Sequence, residues 1–187
     1  MTMTLEKPPE ACGKLISEHV PYLLVASGAV NARNPSITRY RVAAPHPLYS
    51  TAFGPTETIE NDCSLRGWQY LILRGNSVVK SAEIGQRQND SDYIFTVLRE
   101  GAFAEAICST LRKAEKLPEV RDRDYELRFV RVPTLYFRAA WLHRSDDDIF
   151  IPMGRSTGKL QKDEPYRADT VNATLREIVE RRQGRVR

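Results

Sequence analysis

Few residues of this chain have the type and spacing that catalysis or zinc binding requires. The three histidines, His19, His46 and His143, lie far apart and outside any HExxH or Cys/His spacing typical of zinc. A nucleophilic pair would need Cys63 or Cys108 to meet His46 or His143 in the fold, and the sequence leaves that pairing open. Cys108 falls on the apolar face of a predicted helix, where a buried, unreactive thiol is the simpler interpretation.

Two loops have the composition of ligand sites but not the spacing. The run from Gly154 to Lys159 has three residues between its glycines, whereas a phosphate-binding loop has four and places Ser or Thr after the lysine. Asp146, Asp147 and Asp148 offer oxygen ligands for a hard cation, but a tight turn explains them equally well. The sequence therefore predicts no metal site and no cofactor.

Aromatic and basic residues on predicted strands form the candidate pocket or interface. Side chains of this kind can stack on single-stranded nucleic acid, although aromatics on strands more often belong to the core. The set comprises Trp68, Tyr70, Tyr136, Arg138, Trp141 and His143.

The C-terminal residues are rich in arginine, and Arg181, Arg182 and Arg185 are the candidate phosphate contacts. Cations at a helix C-terminus also complement the helix dipole, which is the more common reason for such a cluster. The net charge of +4 is too small to require a nucleic-acid partner. The sequence keeps weak nucleic-acid binding as one possible activity.

Length and cysteine content indicate one soluble intracellular domain. With 187 residues the chain suits a single domain spanning 1–187, with flexible ends at 1–7 and 183–187. The first residues lack the apolar core of a signal peptide, and no run approaches the roughly 20 apolar residues of a membrane span. Three widely spaced cysteines favour reduced thiols, so we expect a cytoplasmic protein without membrane contact.

The densest apolar stretch, Tyr125 to Met153, predicts three antiparallel strands. Pro133 ends the first strand, because it has no N–H for a ladder hydrogen bond. The second strand, from Thr134 to His143, places Leu135, Phe137, Ala139, Trp141 and His143 on one face. The polar run from Ser145 to Asp148 is a turn into a third strand, and a bulge near Phe129 would bring the apolar residues of the first strand to one side.

A hairpin precedes this meander. Gly75-Asn76 is a strong two-residue turn signal between Trp68–Leu73 and Val78–Ile84. The predicted register pairs Leu73 with Val78 and Ile72 with Val79. Both faces of the hairpin are then apolar, so something must cover each face.

Helical periodicity appears in three places. An N-terminal helix begins near Glu10 and ends at Pro21, with a short strand from Tyr22 to Ala26 after it. A helical pattern runs from Tyr93 to Leu117, and a division at Gly101 would leave a helix from Ala102. A last helix begins at Asp169 with Val171, Leu175, Ile178 and Val179 inward, whereas Ser27 to Cys63 gives no clear pattern beyond short β-like patches.

Helices and antiparallel strands therefore segregate along the chain. This order predicts an α+β fold, with a mostly antiparallel curved sheet of the hairpin and the meander packed on a long helix, and with N- and C-terminal helices. No family is recognised.

Three classes of function agree with these features. A non-enzymatic protein-binding or assembly protein, self-associating as a homodimer, ranks first because apolar surface exceeds the predicted cover and no acid, base or nucleophile group is evident. A small-molecule binding protein or enzyme with a pocket between the sheet and the long helix ranks second. A nucleic-acid accessory protein ranks third.

Overall fold

The structure is a computed structural model that describes residues 3–26, 40–43, 45–87 and 92–184. The chain divides into two compact units. The hairpin unit comprises Glu6–Pro47 and Arg66–Glu105, and the meander unit comprises Met1–Leu5, Leu48–Leu65 and Ala106–Arg187. Within the described ranges, no helix has the length and apolar character needed to cross a membrane.

The hairpin unit is built on antiparallel strands. Its central pair is β3 (Ser64–Arg74) and β4 (Ser77–Gln86), which turn at Gly75-Asn76 as the sequence predicts. The short strand β1 (Tyr40–Val42) pairs with the end of β3, and β5 (Tyr93–Glu100) pairs with β4, both antiparallel.

A bulge at Val79 changes the register that we predicted for this hairpin. Leu73 pairs with Val78 as expected, but Ile72 then pairs with Lys80 because Val79 is an extra residue on β4. Ala82 and Ile84 therefore share a face with Trp68, and that face is apolar except for buried Lys80. The opposite face carries buried Gln69, Ser81 and Glu83, so the prediction of two apolar faces was wrong.

The first helix, α1 (Glu10–Ala26), is longer than predicted. It continues through Pro21 and includes the residues for which we predicted a short strand. Its buried side chains follow one another at intervals of four residues, the spacing of one helix face, and they pack α1 against β4 and β5. These residues are Cys12, Ile16, Val20 and Leu24.

The helical pattern predicted from Tyr93 begins nine residues too early. Tyr93–Glu100 forms β5, and Gly101, with a φ of 58°, separates it from α3 (Ala102–Ala114). The segment contains Tyr, Ile, Phe, Thr and Val, which favour a strand, and pairing with β4 outweighs its helical periodicity. The helix that follows begins at Ala102, as the glycine indicated.

The meander unit contains the three predicted strands and two others. They are β6 (Glu126–Val132), β7 (Phe137–His143) and β8 (Ile149–Pro152), joined by a 3-10 turn (Pro133–Leu135) and the Asp146–Asp148 turn. The two-residue strand β9 (Tyr166–Arg167) extends this antiparallel series beside β8. On the other side, β2 (His46–Ser50) runs parallel to β6, which the sequence did not indicate.

The start of the chain also pairs with β6. The backbone N–H of Thr4 donates to the carbonyl of Tyr125 at 3.0 Å, and the N–H of Leu127 donates to the carbonyl of Thr4 at 3.1 Å. Thr4 therefore continues the β6 edge that β2 occupies further along. This residue lies within the N-terminal range for which we expected flexibility.

Helices cover the meander. The short helices are α2 (Ile59–Asp62) and α4 (Pro118–Asp122), and α5 (Ala168–Gly184) is the predicted last helix. Val171 and Leu175 of α5 are fully buried in a core with Ile59, Val130 and Phe137. The side-chain oxygen of Asn172 accepts a hydrogen bond from the N–H of Ile59 at 3.1 Å, which joins α5 to α2.

Both faces of the meander are buried without the bulge that we expected near Phe129. The β6–β7 register is regular, so Leu127 and Phe129 lie on one face while Val130 and Val132 lie on the other. All four side chains are at most 3% exposed. The fold is α+β with mostly antiparallel strands, as predicted, and the single domain over 1–187 stays a prediction.

Two glycines of the hairpin unit should differ in their tolerance of a side chain. A Cβ on Gly67 would lie 1.9 Å from the carbonyl oxygen of Ile84, whereas a Cβ on Gly75 meets no atom within 4 Å. We expect Gly67→Ala to lower the free energy of unfolding by about 3 kcal/mol through this backbone clash. Gly75 has a φ of 61°, so Gly75→Ala should cost only about 1 kcal/mol of left-handed strain. Urea unfolding of both variants checks this. Equal losses of unfolding free energy would contradict the close approach of Gly67 to Ile84.

Buried His46 should make folding sensitive to acid. It is 6% exposed, and burial lowers its pKa from 6.5 to about 4. Between these pH values the unfolded chain binds a proton that the folded chain does not, so stability falls as the pH drops. We expect wild type to lose up to about 3 kcal/mol more than His46→Gln between pH 7 and pH 4. The control variant His19→Gln, at an exposed site, should lose stability with falling pH as steeply as wild type does. An equally steep loss in His46→Gln would contradict this account.

Candidate functional site

The predicted site residues Trp141 and His143 meet polar partners at one end of the meander. They alternate along β7 and lie opposite Arg128 and Glu126 of β6 respectively. Directly paired residues of neighbouring strands project from the same face, so these four side chains share it. We call Arg128, Trp141, His143 and Asp148, together with Tyr49 of β2, the His143 cluster.

Asp148 holds the cluster together. One carboxylate oxygen, Oδ1, lies 2.7 Å from Nε1 of Trp141, which donates to it, and 2.8 Å from Nδ1 of His143. An ionised carboxylate can only accept hydrogen bonds, so the Nδ1 of His143 carries a proton. In the neutral ring Nε2 is then the acceptor, and the side chain of His143 is 28% exposed. This arrangement can take up a proton or accept a hydrogen bond from a ligand.

Arg128 is enclosed by the other members of the cluster. Its guanidinium carbon lies 4.8 Å from the ring centre of Tyr49 and 4.9 Å from that of Trp141, the geometry of cation–π contacts. A nitrogen of the same group lies 2.5 Å from the carboxylate of Glu126. These contacts place Arg128 as a support for the aromatic rings.

Cys63 is poorly suited to act as the nucleophile of this cluster. Burial raises the pKa of its thiol to about 12, although the nearby charge of Arg128 acts in the opposite direction. A thiol with this pKa is protonated at neutral pH, and the thiolate is the nucleophilic form. The structure therefore gives no support to Cys63 as the nucleophile of a pair with His143, and the pairings of Cys108 stay untested.

Two of the other predicted site residues lie in the hairpin unit, and Arg138 lies on the opposite face of β7 from Trp141. Arg138 pairs there with Arg131. Trp68 and Tyr70 belong to the hairpin unit, where they are 1% and 4% exposed. Since these two side chains are buried within the chain, they offer no open patch for self-association. Trp141 and His143 alone remain in mutual contact, with ring centres 5.1 Å apart.

Tyr136 stands apart as an exposed aromatic in a strained conformation. It follows the 3-10 turn after β6 with a φ of 54°, in the left-handed region, and its side chain is 86% exposed. Two other non-glycine residues of the described ranges have a positive φ, and each has a structural reason. Phe53 buries its ring in the core, and Asp163 accepts hydrogen bonds from Ser109 and Thr110. Tyr136 buries almost none of its side chain.

The Asp146–Asp148 turn uses its carboxylates within the protein. Burial alone would raise the pKa of Asp147, but hydrogen bonds from Arg167 and Tyr125 bring it below its ordinary value. Asp146 pairs with Arg144 at 2.6 Å, and Asp148 belongs to the His143 cluster. Among the residues that the structure describes, no group of three or more His, Cys, Asp or Glu side chains could hold a metal ion.

The C-terminal arginines that the structure describes also have partners in the protein. Arg181 lies 3.6 Å from Glu177, and the guanidinium of Arg182 donates to the carbonyl oxygen of Thr134. Arg185 lies outside the described residues. The contact of Arg182 places a positive charge beside the 3-10 turn that precedes Tyr136.

Sequence reasoning missed the roles of Asp148, Arg128 and Tyr49. A signal for Asp148 was present, because a turn after His143 returns the chain beside β7 within a few residues. Tyr49 gave no such signal, since its position depends on the parallel pairing of β2 with β6.

None of the family models, curated proteins or solved structures compared with this chain matches it.

Proposed function

We propose that the protein binds a protein partner through the surface around Tyr136. The observation that supports this is an 86% exposed aromatic side chain held in the left-handed region. This conformation costs about 1–2 kcal/mol for a residue with a Cβ, and glycine would avoid that cost. Strained residues without a role in the fold are candidates for contact with another molecule.

The turn that carries Tyr136 is held in place by hydrogen bonds. Its N–H donates to the carbonyl of Pro133 at 3.1 Å, and the hydroxyl of Thr134 donates to the carbonyl of Ala52 at 2.6 Å. Leu135 is buried, and Arg182 bonds to Thr134 from α5. A ring presented on an ordered turn loses little conformational entropy when it is buried by a partner, which is why rigid aromatics often dominate binding energy.

The surroundings favour a neutral or acidic partner surface. Arg182 supplies positive charge beside the turn, and the side chain of Arg176 donates to the carbonyl of Glu57 on the same unit. The homodimer that we predicted from the sequence stays a proposal. The three free cysteines support a reducing, cytoplasmic setting.

Photocrosslinking tests this proposal at two comparably exposed tyrosines. A benzophenone amino acid at position 136 should give a saturable adduct with a protein, whereas the same group at Tyr22, 74% exposed on α1, should not. Excess wild type should compete for the adduct, and excess Tyr136→Asn should not. Asn tolerates the left-handed region, so Tyr136→Asn should match or exceed wild-type stability by up to about 1 kcal/mol.

The mass of the adduct identifies the partner class. An adduct of twice 21.3 kDa, together with a dimer in light scattering, would assign the surface to self-association. Equal adducts at positions 22 and 136 would contradict the proposal. A nuclease-sensitive adduct that disappears near 0.2 M salt would replace the protein partner with nucleic acid.

A second candidate function is acid–base catalysis or small-ligand binding at the His143 cluster. The observation in its favour is the 2.8 Å contact between His143 Nδ1 and Asp148, which leaves Nε2 available. A carboxylate in this position orients an imidazole, as in many general bases.

An ester probe tests this second function. Wild type should hydrolyse p-nitrophenyl acetate faster than His143→Gln, and Asp148→Asn should reduce the rate by roughly tenfold or more. Asp146→Asn is the matched control in the same turn, because its 58% exposed carboxylate does not contact His143, and it should retain the rate. Equal rates in wild type and His143→Gln would exclude His143 as the reactive group.

A further inference from the structure

A cleft of about 400 Å³ lies in the hairpin unit between α1 and the adjoining ends of β4 and β5. This volume is within the range of small-ligand sites. It is lined from α1 by Ala11, Lys14, Leu15 and Glu18, and from the strand ends by Arg87, Asp92, Tyr93 and Ile94.

The residues that line this cleft include two with positive and two with negative side chains. Lys14 and Glu18 are one helical turn apart on α1, and the N–H of Arg87 donates to the carbonyl of Asp92 at 3.0 Å, so these two residues adjoin. In the described ranges, none of the four side chains makes an ion pair or hydrogen bond. Opposite charges at this helical spacing often pair with each other, and here both signs remain available to a ligand.

The remaining residues that line the cleft are apolar or aromatic. Leu15 is half-buried on α1, and Ile94 is 38% exposed at the start of β5 with Tyr93 beside it. An apolar group placed against these residues would remove their surface from water, which favours binding in proportion to the area covered.

We propose that this cleft binds a small zwitterion with an apolar side chain, either a free amino acid or a short peptide. Lys14 and Arg87 would contact its carboxylate, and Glu18 and Asp92 its ammonium group. The apolar and aromatic lining residues would contact its side chain. A singly charged ligand would be attracted by one pair and repelled by the other. Glu18 and Asp92 likewise disfavour a polyanion such as nucleic acid.

Titration of the whole isotope-labelled protein with leucine tests the proposal by NMR. Amide shifts should change in a saturable way at about 10 mM or below and be confined to α1, the end of β4 with the adjoining Arg87, and the start of β5. Leucine without its amine (4-methylpentanoate) and leucine without its carboxylate (3-methylbutylamine) should each bind about tenfold more weakly, because each loses one set of charge-assisted hydrogen bonds. Tighter binding of leucyl-leucine than of leucine would assign the cleft to peptides.

Paired charge removals separate the two ends of the ligand. The double variant Lys14→Ala/Arg87→Ala should weaken leucine binding about tenfold but leave the binding of 3-methylbutylamine no weaker. Glu18→Ala/Asp92→Ala should show the reverse preference for 4-methylpentanoate. Glu115→Ala/Lys116→Ala, which removes exposed charges outside the hairpin unit, is the matched control and should bind leucine as wild type does. Absent shifts, equal binding of all three probes, or shifts spread over the chain would overturn the proposal.

Discussion

Burial of both faces of the β6–β7 pair is the constraint on which the meander unit depends. Val130 and Phe137 lie in the core under α5, while Phe129 and Ala140 are buried on the opposite face. A strand pair in this situation needs cover on each side, and a slip of one residue would exchange the faces of every side chain. The register therefore also fixes which side chains reach the His143 cluster.

The His143 cluster lies where the face that carries Val130 and Phe137 changes from apolar to polar. Trp141 is buried and stacks on Phe150 at 5.6 Å, yet its indole N–H needs an acceptor, and Asp148 supplies it. The same carboxylate bonds to His143, which is more exposed. Asp148 thus satisfies the buried indole N–H and also orients the more exposed imidazole. A change at Asp148 would therefore affect both packing and chemistry.

The sequence predicted elements whose signals are local. Gly75-Asn76 marks the hairpin, Pro133 ends β6, and Gly101 precedes α3, because each acts on its own stretch of backbone. The helix predicted over Tyr93–Glu100 was wrong, because strand pairing outweighed helical periodicity. The bulge at Val79 had no signal in the sequence. For the site, alternation predicted the shared face of Trp141 and His143, whereas the contact of Tyr49 and the strained φ of Tyr136 arise from long-range packing that no local pattern encodes.

The hydrogen bonds of Thr4 also affect how β6 is shielded from other chains. They occupy Tyr125 and Leu127 on the edge where β2 pairs only from Phe129 to Arg131. An uncovered row of backbone groups invites strand addition by a neighbouring molecule, which is a common route to aggregation. Thr4 therefore shields this part of the β6 edge. Its removal would leave the backbone groups of Tyr125 and Leu127 open to pairing with another chain.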